Sequence, residues 1–161
     1  MSARRQAGAV ALLALASACW VSAPSLTAPT TLTATIGTTP FVADTTLGLA
    51  TYTAASRLLT ITGQSAGGAT QLTVQVVLRD SLAIGTYFIG CTPPPSSVIL
   101  PGPADGPVEY DTDCLADGQL EITALDTTAH RIAGRFAFRG RLGTSLTLLQ
   151  VSNGRFAGTY R

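Results

Sequence analysis

Residues 118–126 read Gly-Gln-Leu-Glu-Ile-Thr-Ala-Leu-Asp, and residues 131–139 read Arg-Ile-Ala-Gly-Arg-Phe-Ala-Phe-Arg. Apolar and polar residues alternate in both segments. Successive side chains of a β-strand point to opposite faces, so this period of two predicts two strands that each bury one face. The buried faces would hold Leu120, Ile122 and Ala124 in the first strand and Ile132, Phe136 and Phe138 in the second, with Arg131, Arg135 and Arg139 in water.

The polar stretch between these segments predicts a turn that joins them as antiparallel strands. In this interpretation Asp126 caps the turn, and His130, the one histidine of the chain, is a solvated residue at its end. The expected register sets three residue pairs opposite each other: Ala124 with Ile132, Glu121 with Arg135, and Leu120 with Phe136.

Short alternating runs bounded by Gly, Pro, Asn and Asp recur after the N-terminal region, and no window there has the apolar spacing of a helix. The predicted strands are Thr31–Ile36, Leu47–Thr53, Leu58–Thr62, Gln71–Leu78, Thr86–Ile89, Gly118–Leu125, Arg131–Arg139, Thr144–Ser152 and Arg155–Tyr160. Gly67-Gly68 marks a turn. The pattern predicts an all-β domain, a single antiparallel β-sandwich or partly open barrel of about nine to eleven short strands.

Asn153-Gly154 predicts a second hairpin near the end of the chain. A type I′ turn needs positive φ at both central residues, which Asn and Gly tolerate best. A two-residue loop would set three pairs opposite each other: Val151 with Phe156, Leu149 with Gly158, and Thr147 with Tyr160. We therefore expect the last residues to complete the sheet and not to form a disordered tail.

These hairpin motifs resemble a domain-of-unknown-function family of bacterial lipoproteins best known from the Bacteroidetes. Its members carry a strand ending in Leu-Asp, a polar turn, a strand with Phe-x-Phe and a final Asn-Gly-x-Phe, similar to residues 118–138 and 151–156 here. Residues 31–43, Leu59–Gly63 and Gly85–Tyr87 are similar to earlier elements of the family. The resemblance implies a lipid-anchored β-domain and supplies no catalytic residue.

The first residues have the pattern of a bacterial export signal. Two arginines precede an apolar run, Ala7–Ala16, that is too short to cross a bilayer. Leu15-Ala-Ser-Ala-Cys19 ends the run with small residues and resembles a lipobox, where cleavage precedes a lipidated cysteine. We expect residues 1–18 to be a lipoprotein signal peptide and Cys19 to be the lipid attachment site. The alternative is an ordinary secretory signal that leaves a soluble exported protein.

A tether and one domain follow this signal. Residues 19–30 hold two prolines among small and hydroxyl residues, and residues 31–161 have the size of a single antiparallel β domain. Each buried methylene of an acyl chain contributes about 0.8 kcal/mol, so two or three chains on Cys19 would anchor the protein durably. The expected location is the outer membrane, with the membrane as one partner and an envelope protein or glycan as another.

The charge of the chain excludes one class of partner. All ten basic residues are arginine, and removal of the two in the signal leaves eight against nine acidic residues, a formal charge of −1. Nucleic-acid-binding domains carry a strong positive surplus, so no nucleic acid is expected as a partner. No cofactor is expected either.

Cys91 and Cys114 are the two remaining cysteines of an exported protein and predict a disulfide. The bridge would close a loop of 24 residues, worth about 3.5 kcal/mol in the chain-entropy model. The enclosed segment Thr92–Pro107 has five prolines in its first twelve residues, so we expect no regular sheet there. Metal binding by two free thiols is the alternative, and it lacks a nearby histidine or third cysteine.

Five carboxylates form an acidic segment, residues 105–117: Asp105, Glu109, Asp111, Asp113 and Asp117. Carboxylates at alternate positions can converge on Ca²⁺, and a pair can supply acid and base for glycoside hydrolysis. The segment lacks the Gly and bidentate Glu of an EF-hand loop. We therefore predict no metal site. Within the segment, the candidates for metal ligands are Asp111, Asp113 and Asp117. The simpler interpretation is a solvated flank whose charge protects a sheet edge from other chains.

The sequence carries no catalytic motif. There is no Gly-x-Ser-x-Gly elbow to complete a triad with Asp126 and His130, no His-Glu-x-x-His, no Walker loop and no dinucleotide fingerprint. Tyr52, Tyr87 and Tyr110 could form a sugar-stacking platform, although aromatic residues in strands are more often part of the core.

Two functions follow from these observations. The first is a lipid-anchored envelope lipoprotein, a non-catalytic binding or structural β-module that is not an enzyme and acts through loops such as Thr92–Pro107. The second is a small envelope hydrolase that acts on glycans through the acidic segment.

Overall fold

The computed structural model describes residues 25–27, 29–44, 49–90, 94–101, 106–113 and 117–161. The predicted lipid site Cys19, the predicted disulfide partners Cys91 and Cys114, and the carboxylate Asp105 lie outside the described residues. In the part of the chain that is described, we find no helix with the length and apolar composition that a membrane crossing requires.

The described residues form eleven β-strands, which confirms the all-β prediction. The strands are β1 (Thr31–Ile36), β2 (Thr39–Asp44), β3 (Ala50–Thr53), β4 (Leu58–Ser65), β5 (Gln71–Val77), β6 (Gly85–Ile89), β7 (Ser97–Leu100), β8 (Val108–Asp111), β9 (Gly118–Asp126), β10 (Arg131–Arg141) and β11 (Leu148–Thr159). Their period-two burial is clearest in β1 and β5, where every second residue is buried.

Eight strands close into an antiparallel barrel in the order β11-β1-β2-β4-β5-β7-β8-β10, and β10 pairs with β11 to complete the circle. β9 and β6 extend the sheet from β10, while β3 pairs with β4. The sheet closes into a barrel and does not form a sandwich, because β11 pairs with β1 along one edge and with β10 along the other.

The barrel interior is a core of apolar side chains. Residues with no exposed surface include Leu32, Leu59, Ile61, Leu72, Val74, Leu120, Ile122, Ile132, Val151 and Phe156. Each large apolar side chain buried in this way contributes about 1.5–3 kcal/mol. The predicted faces of the β9–β10 hairpin are confirmed for Leu120, Ile122, Phe136 and Phe138, which are buried, and for Arg139, which is exposed. The prediction is wrong for Ala124, which is half-buried, because Leu125 packs against the core instead.

The register of the β9–β10 hairpin matches the prediction in the half that is farther from the turn, and it differs from the prediction near the turn. Glu121 faces Arg135 and Leu120 faces Phe136, as predicted. The expected pairing of Ala124 with Ile132 is wrong, because Ala124 faces Ala133 and Ile132 faces Leu125. The register shifts between Ala133 and Gly134, which leaves Thr123 as the extra residue of a β-bulge. The Thr123 hydroxyl donates to the Ala133 carbonyl at 3.3 Å.

Asn153-Gly154 does not form the predicted hairpin turn. β11 runs through both residues, and Asn153 with φ of 52° lies where its register with β10 shifts between Phe136 and Phe138. The left-handed conformation that Asn tolerates forms a bulge here and not a turn. Val151 and Phe156 therefore lie opposite Ile36 and Leu32 of β1 instead of each other.

The remaining pairs predicted for that hairpin are wrong for the same reason: Leu149 faces Gly140 and Gly158 faces Ile132, both on β10. The predicted strands Thr144–Ser152 and Arg155–Tyr160 are accordingly one strand, β11. The broader expectation is confirmed, because the last residues belong to the sheet.

Three strands of the structure were not predicted from the sequence: β2, β7 and β8. β7 corrects the expectation that Thr92–Pro107 contains no regular sheet, because Ser97–Leu100 pairs with β5 and with β8. Pro95 and Pro101 lie just outside β7, so neither removes a donor from its ladder. The described part of the predicted strand Leu47–Thr53 begins at Leu49, and the strand itself, β3, begins at Ala50. The predicted turn at Gly67-Gly68 is confirmed by φ of 84° and 72°.

Candidate functional site

The acidic segment lies along β8 and the residues that follow it, beside the C-terminal end of β10. Asp111 is the backbone partner of Arg141, the one residue pair that joins β8 to β10. This pairing brings the carboxylates after β8 next to the arginines at alternate positions of β10. The outward arginine face that the sequence predicts is thus one wall of the candidate site.

Two of the predicted carboxylates form ion pairs with these arginines. Asp113 binds Arg141, and both side chains are mostly buried. Asp117 binds Arg139 at 2.6 Å, and about half of each side chain is exposed. The hydrogen bond from Arg139 holds the pKa of Asp117 below its ordinary value. Each of the two carboxylates therefore has a specific arginine partner on β10.

Glu109 and Asp111 have a different environment. No arginine pairs with either of them within the described ranges. Alternate residues of a strand share a face about 7 Å apart, so the two carboxylates are neighbours on β8. Burial of Asp111, and then the charge of Glu109, raise the pKa of Asp111 above its ordinary value of 3.8. Glu109 and Asp111 are therefore the described carboxylates of the acidic segment that can still serve as an acid–base pair.

The metal candidates Asp111, Asp113 and Asp117 do not converge. Among the residues that the structure describes, no group of three metal-ligating side chains is close enough to hold an ion. Asp113 and Asp117 each bind a different arginine instead.

The strand junction beside the acidic segment is held by two buried hydroxyl residues that sequence reasoning missed. The Ser96 amide donates to Thr112 Oγ1 at 2.9 Å, and the Thr112 amide donates to the Ser96 carbonyl at 2.8 Å. The Ser96 hydroxyl accepts from the Gln75 amide at 2.8 Å and donates to the Gln75 carbonyl at 3.1 Å. The Ser96 side chain thus takes the place of a strand partner on one side of Gln75 in β5. No sequence motif indicates that role.

The other predicted site residues have structural contacts. Asp126 Oδ1 accepts hydrogen bonds from the amides of Thr128 and Ala129 at 2.9 and 2.8 Å, which confirms its capping role. The His130 ring packs edge-on against Tyr160, with centroids 5.3 Å apart. Asp126 is therefore engaged in the turn and does not orient His130 as a catalytic triad would require.

The three tyrosines do not form one platform. They lie on β3, β6 and β8, none of which pairs with another of the three. Tyr52 and Tyr87 pack partly against the core, and the Tyr87 hydroxyl donates to the Ala83 carbonyl at 2.6 Å.

The two ends of the barrel differ in what they expose. β1 starts beside the end of β11, with Thr31 opposite Ala157, so the chain enters the domain at the end we call the entry end. The opposite, far end holds the turn at Gly37, whose amide donates to the Gln150 carbonyl, and the loop of residues 142–147. Leu146 in that loop is 91% exposed. The far end therefore presents an apolar loop tip close in the chain to Arg141 of the candidate site.

Comparison with known proteins assigns no family to the chain: no family model, curated protein or solved structure matches it. The resemblance to the lipoprotein family accordingly stays a prediction.

Proposed function

We propose that this protein is a lipid-anchored lipoprotein of the cell envelope, whose barrel domain binds another envelope component without catalysing a reaction. Cys19 precedes β1 by twelve residues, and a chain of that length reaches at most about 40 Å. This segment would therefore hold the barrel within about 40 Å of the membrane surface.

The observation that carries the non-catalytic part of the proposal is the pairing of Asp113 and Asp117 with arginines of β10. A general acid or base exchanges protons near neutral pH, whereas a carboxylate bound by a guanidinium stays ionised. The arrangement supports a polar surface whose charges are fixed in place, which suits binding and structural roles.

The proposed binding face is the far end of the barrel. The tether joins β1 at the entry end, so that end faces the membrane in the simplest arrangement. The far end then points away from the bilayer and offers Leu146 between the exposed polar residues Thr144 and Thr147. Apolar anchors beside polar groups are the usual composition of a protein interface.

Membrane fractionation of an expressing bacterium tests the anchor. We expect the wild-type protein to stay in the membrane pellet after a high-salt wash and a Cys19→Ala variant to move to the soluble fraction. Ser25→Ala, a change in an exposed residue of the tether, is the matched control and should stay in the pellet. Wild-type protein in the soluble fraction would overturn the proposal.

The alternative, a glycan hydrolase, is favoured by one observation: the raised pKa of Asp111 next to Glu109. A carboxyl group with a raised pKa beside an ionised one is the arrangement that glycosidases use. The test is release of reducing sugar from purified envelope polysaccharide and peptidoglycan. The hydrolase proposal expects release that Asp111→Asn and Glu109→Gln each abolish, and it fails if the wild-type protein releases none.

A further inference from the structure

Asn153 is the only asparagine of the chain, and the residue after it is a glycine. An Asn-Gly dipeptide is chemically labile, because glycine has no side chain to hinder attack of its backbone nitrogen on the carbon of the asparagine amide. The structure places this dipeptide inside β11, which closes the barrel by pairing with β1 and β10. A chemical change at Asn153 would therefore alter the strand that closes the barrel.

The fold requires this dipeptide for two separate reasons. Asn153 has φ of 52° and is the one residue of β11 that is skipped by the described pairings with both β1 and β10. Gly154 lies opposite Phe136, and a Cβ there would stand 2.5 Å from the Phe136 ring. A residue that tolerates positive φ must therefore be followed by a residue without a side chain.

The folded conformation of Asn153 opposes the reaction, although its side chain is exposed. Ring closure needs the Gly154 nitrogen on the same side of the Cα–C bond as Asn153 Cβ, which requires a negative ψ. A non-glycine residue with positive φ lies in the left-handed region, where ψ is positive and the next nitrogen points away from Cβ. Rotation to the reactive conformation would also pull Gly154 away from Phe136 of β10. Asn153 can therefore react only when this part of β11 leaves the sheet.

We propose that Asn153 is a deamidation site that the closed barrel protects and that reacts when β11 detaches. In the detached strand the Gly154 nitrogen forms a bond to Asn153 Cγ, and the bond from Cγ to Nδ2 breaks. Nδ2 leaves as ammonia with the proton that the Gly154 nitrogen gives up. Water then opens the succinimide ring at either of its carbonyl groups. The products are aspartate, which keeps the original main chain, and isoaspartate, whose main chain runs through Cβ and Cγ.

The two products differ in whether the barrel can close again. Aspartate leaves the backbone unchanged and places its charge at an exposed position. Isoaspartate adds one carbon atom to the main chain between Ser152, the partner of Thr35, and Gly154, the partner of Phe136. The bulge at Asn153 already holds an extra residue there, so the lengthened chain cannot keep both pairings in place. A chain that closes early keeps Asn153, whereas a chain that stays open gains isoaspartate and loses the fit of β11.

Mass spectrometry of one tryptic peptide tests the protection. Trypsin cleaves after arginine, so residues 142–155 form a single peptide that contains Asn153. The purified protein is incubated in mildly alkaline buffer with and without urea, and the deamidated fraction is followed over time above the background of a digest at time zero. We expect deamidation to be at least about tenfold slower in the folded protein, because a reaction through an open form follows the population of that form.

Variants of β10 test the link to barrel closure. Gly134→Ala, whose methyl group would meet the Phe156 ring, should deamidate faster than the wild-type protein in the absence of urea. Ala137→Ser, at an exposed position of the same strand, is the matched control and should deamidate at the wild-type rate. Equal rates for the wild-type protein with and without urea would overturn the proposal, because exposure of the side chain alone would then control the reaction.

Asn153→Gly and refolding test the site and its consequence. Glycine adopts positive φ freely and has no amide, so this variant should refold from urea after any incubation time. The wild-type protein should lose the ability to refold as isoaspartate accumulates. Size-exclusion chromatography separates refolded from aggregated chains, and electron-transfer fragmentation distinguishes isoaspartate from aspartate in peptide 142–155. We expect isoaspartate in the aggregated chains, and Asn153 or aspartate in the refolded ones. Isoaspartate in the refolded chains at the fraction present in urea would contradict the proposal.

Discussion

Gly134 on β10 lies directly opposite Phe156 on β11, and the aromatic ring covers the glycine. A Cβ at Gly134 would stand 2.6 Å from Phe156 Cζ. The next pair on the same face has the reverse arrangement, with Phe136 of β10 opposite Gly154 of β11. A Cβ at Gly154 would lie 2.5 Å from Phe136 Cδ2. The two rings lie 6.5 Å apart between centroids. The strand pair that closes the barrel is therefore packed by two reciprocal glycine–phenylalanine contacts.

Gly134→Ala should destabilise the domain strongly. The added methyl group would meet the Phe156 ring and the Glu121 backbone, and overpacking of a filled core costs about 1–3 kcal/mol or more. Urea unfolding measures the loss. Ala137→Ser, on the exposed side of the same strand, should change the unfolding free energy by less than about 0.5 kcal/mol. A Gly134→Ala variant as stable as wild type would show that this contact is not tight.

Ser96→Ala should lower the unfolding free energy by about 1–3 kcal/mol, because it removes the hydroxyl that satisfies both backbone groups of Gln75 at a fully buried position. Ser97→Ala changes the adjacent, half-buried residue and should have a smaller effect. Chemical denaturation of both variants provides the comparison. Equal losses would mean that the Ser96 hydroxyl has no special role.

Asp111 and Asp117 should affect stability in opposite directions at neutral pH. The folded-state pKa of Asp111 is raised, so its stabilising contribution is full below the ordinary value of 3.8 and is lost as pH rises through the raised pKa. Asp111→Asn should therefore stabilise the domain at neutral pH and have little effect below 3.8.

The folded-state pKa of Asp117 is lowered, so its contribution is present above the unfolded value and is lost as pH falls through the folded value. Asp117→Asn should slightly lower the melting temperature at neutral pH and lose this effect in acid. Melting temperatures of both variants across the acidic range provide the test. A loss of stability in Asp111→Asn at neutral pH would contradict the assignment of burial as the cause.

Removal of residues 153–161 should abolish cooperative folding. These residues pair with β1 and with β10 and include the fully buried Phe156, so the truncation opens the barrel. Deletion of residues 20–30, which precede β1, should barely change the melting temperature. Thermal denaturation followed by circular dichroism compares the two. A truncated chain that melts like the full chain would show that barrel closure by β11 is dispensable.

The alternation of Leu120, Phe136 and Phe138 was sufficient to predict the faces of the β9–β10 hairpin, because the side-chain period of a strand is a local property. It could not locate the bulges at Thr123 and Asn153, since a bulge keeps the composition of a strand and changes only its partner. Asn153-Gly154 shows the ambiguity directly: both a type I′ turn and a bulge use positive φ.

The candidate site was predictable in composition and not in contacts. Clustered carboxylates and alternating arginines are visible in the sequence, but the pairing of Asp113 with Arg141 depends on β8 meeting β10 across 28 residues of chain. β8 itself has only four residues, too few for an alternating pattern to stand out. Ser96 has a role because Gln75 of β5 pairs with β4 on one side and has no described strand partner on the other, which depends on the assembled barrel alone.

Mass spectrometry of the mature N-terminus tests the lipid-anchored barrel most directly. The protein should be purified from the membrane fraction and digested, and its N-terminal peptide should be sequenced by fragmentation. We predict a peptide that begins at Cys19 and carries the mass of a diacylglyceryl group, with or without a third acyl chain. An unmodified N-terminus at Cys19 or at any later residue would contradict the account.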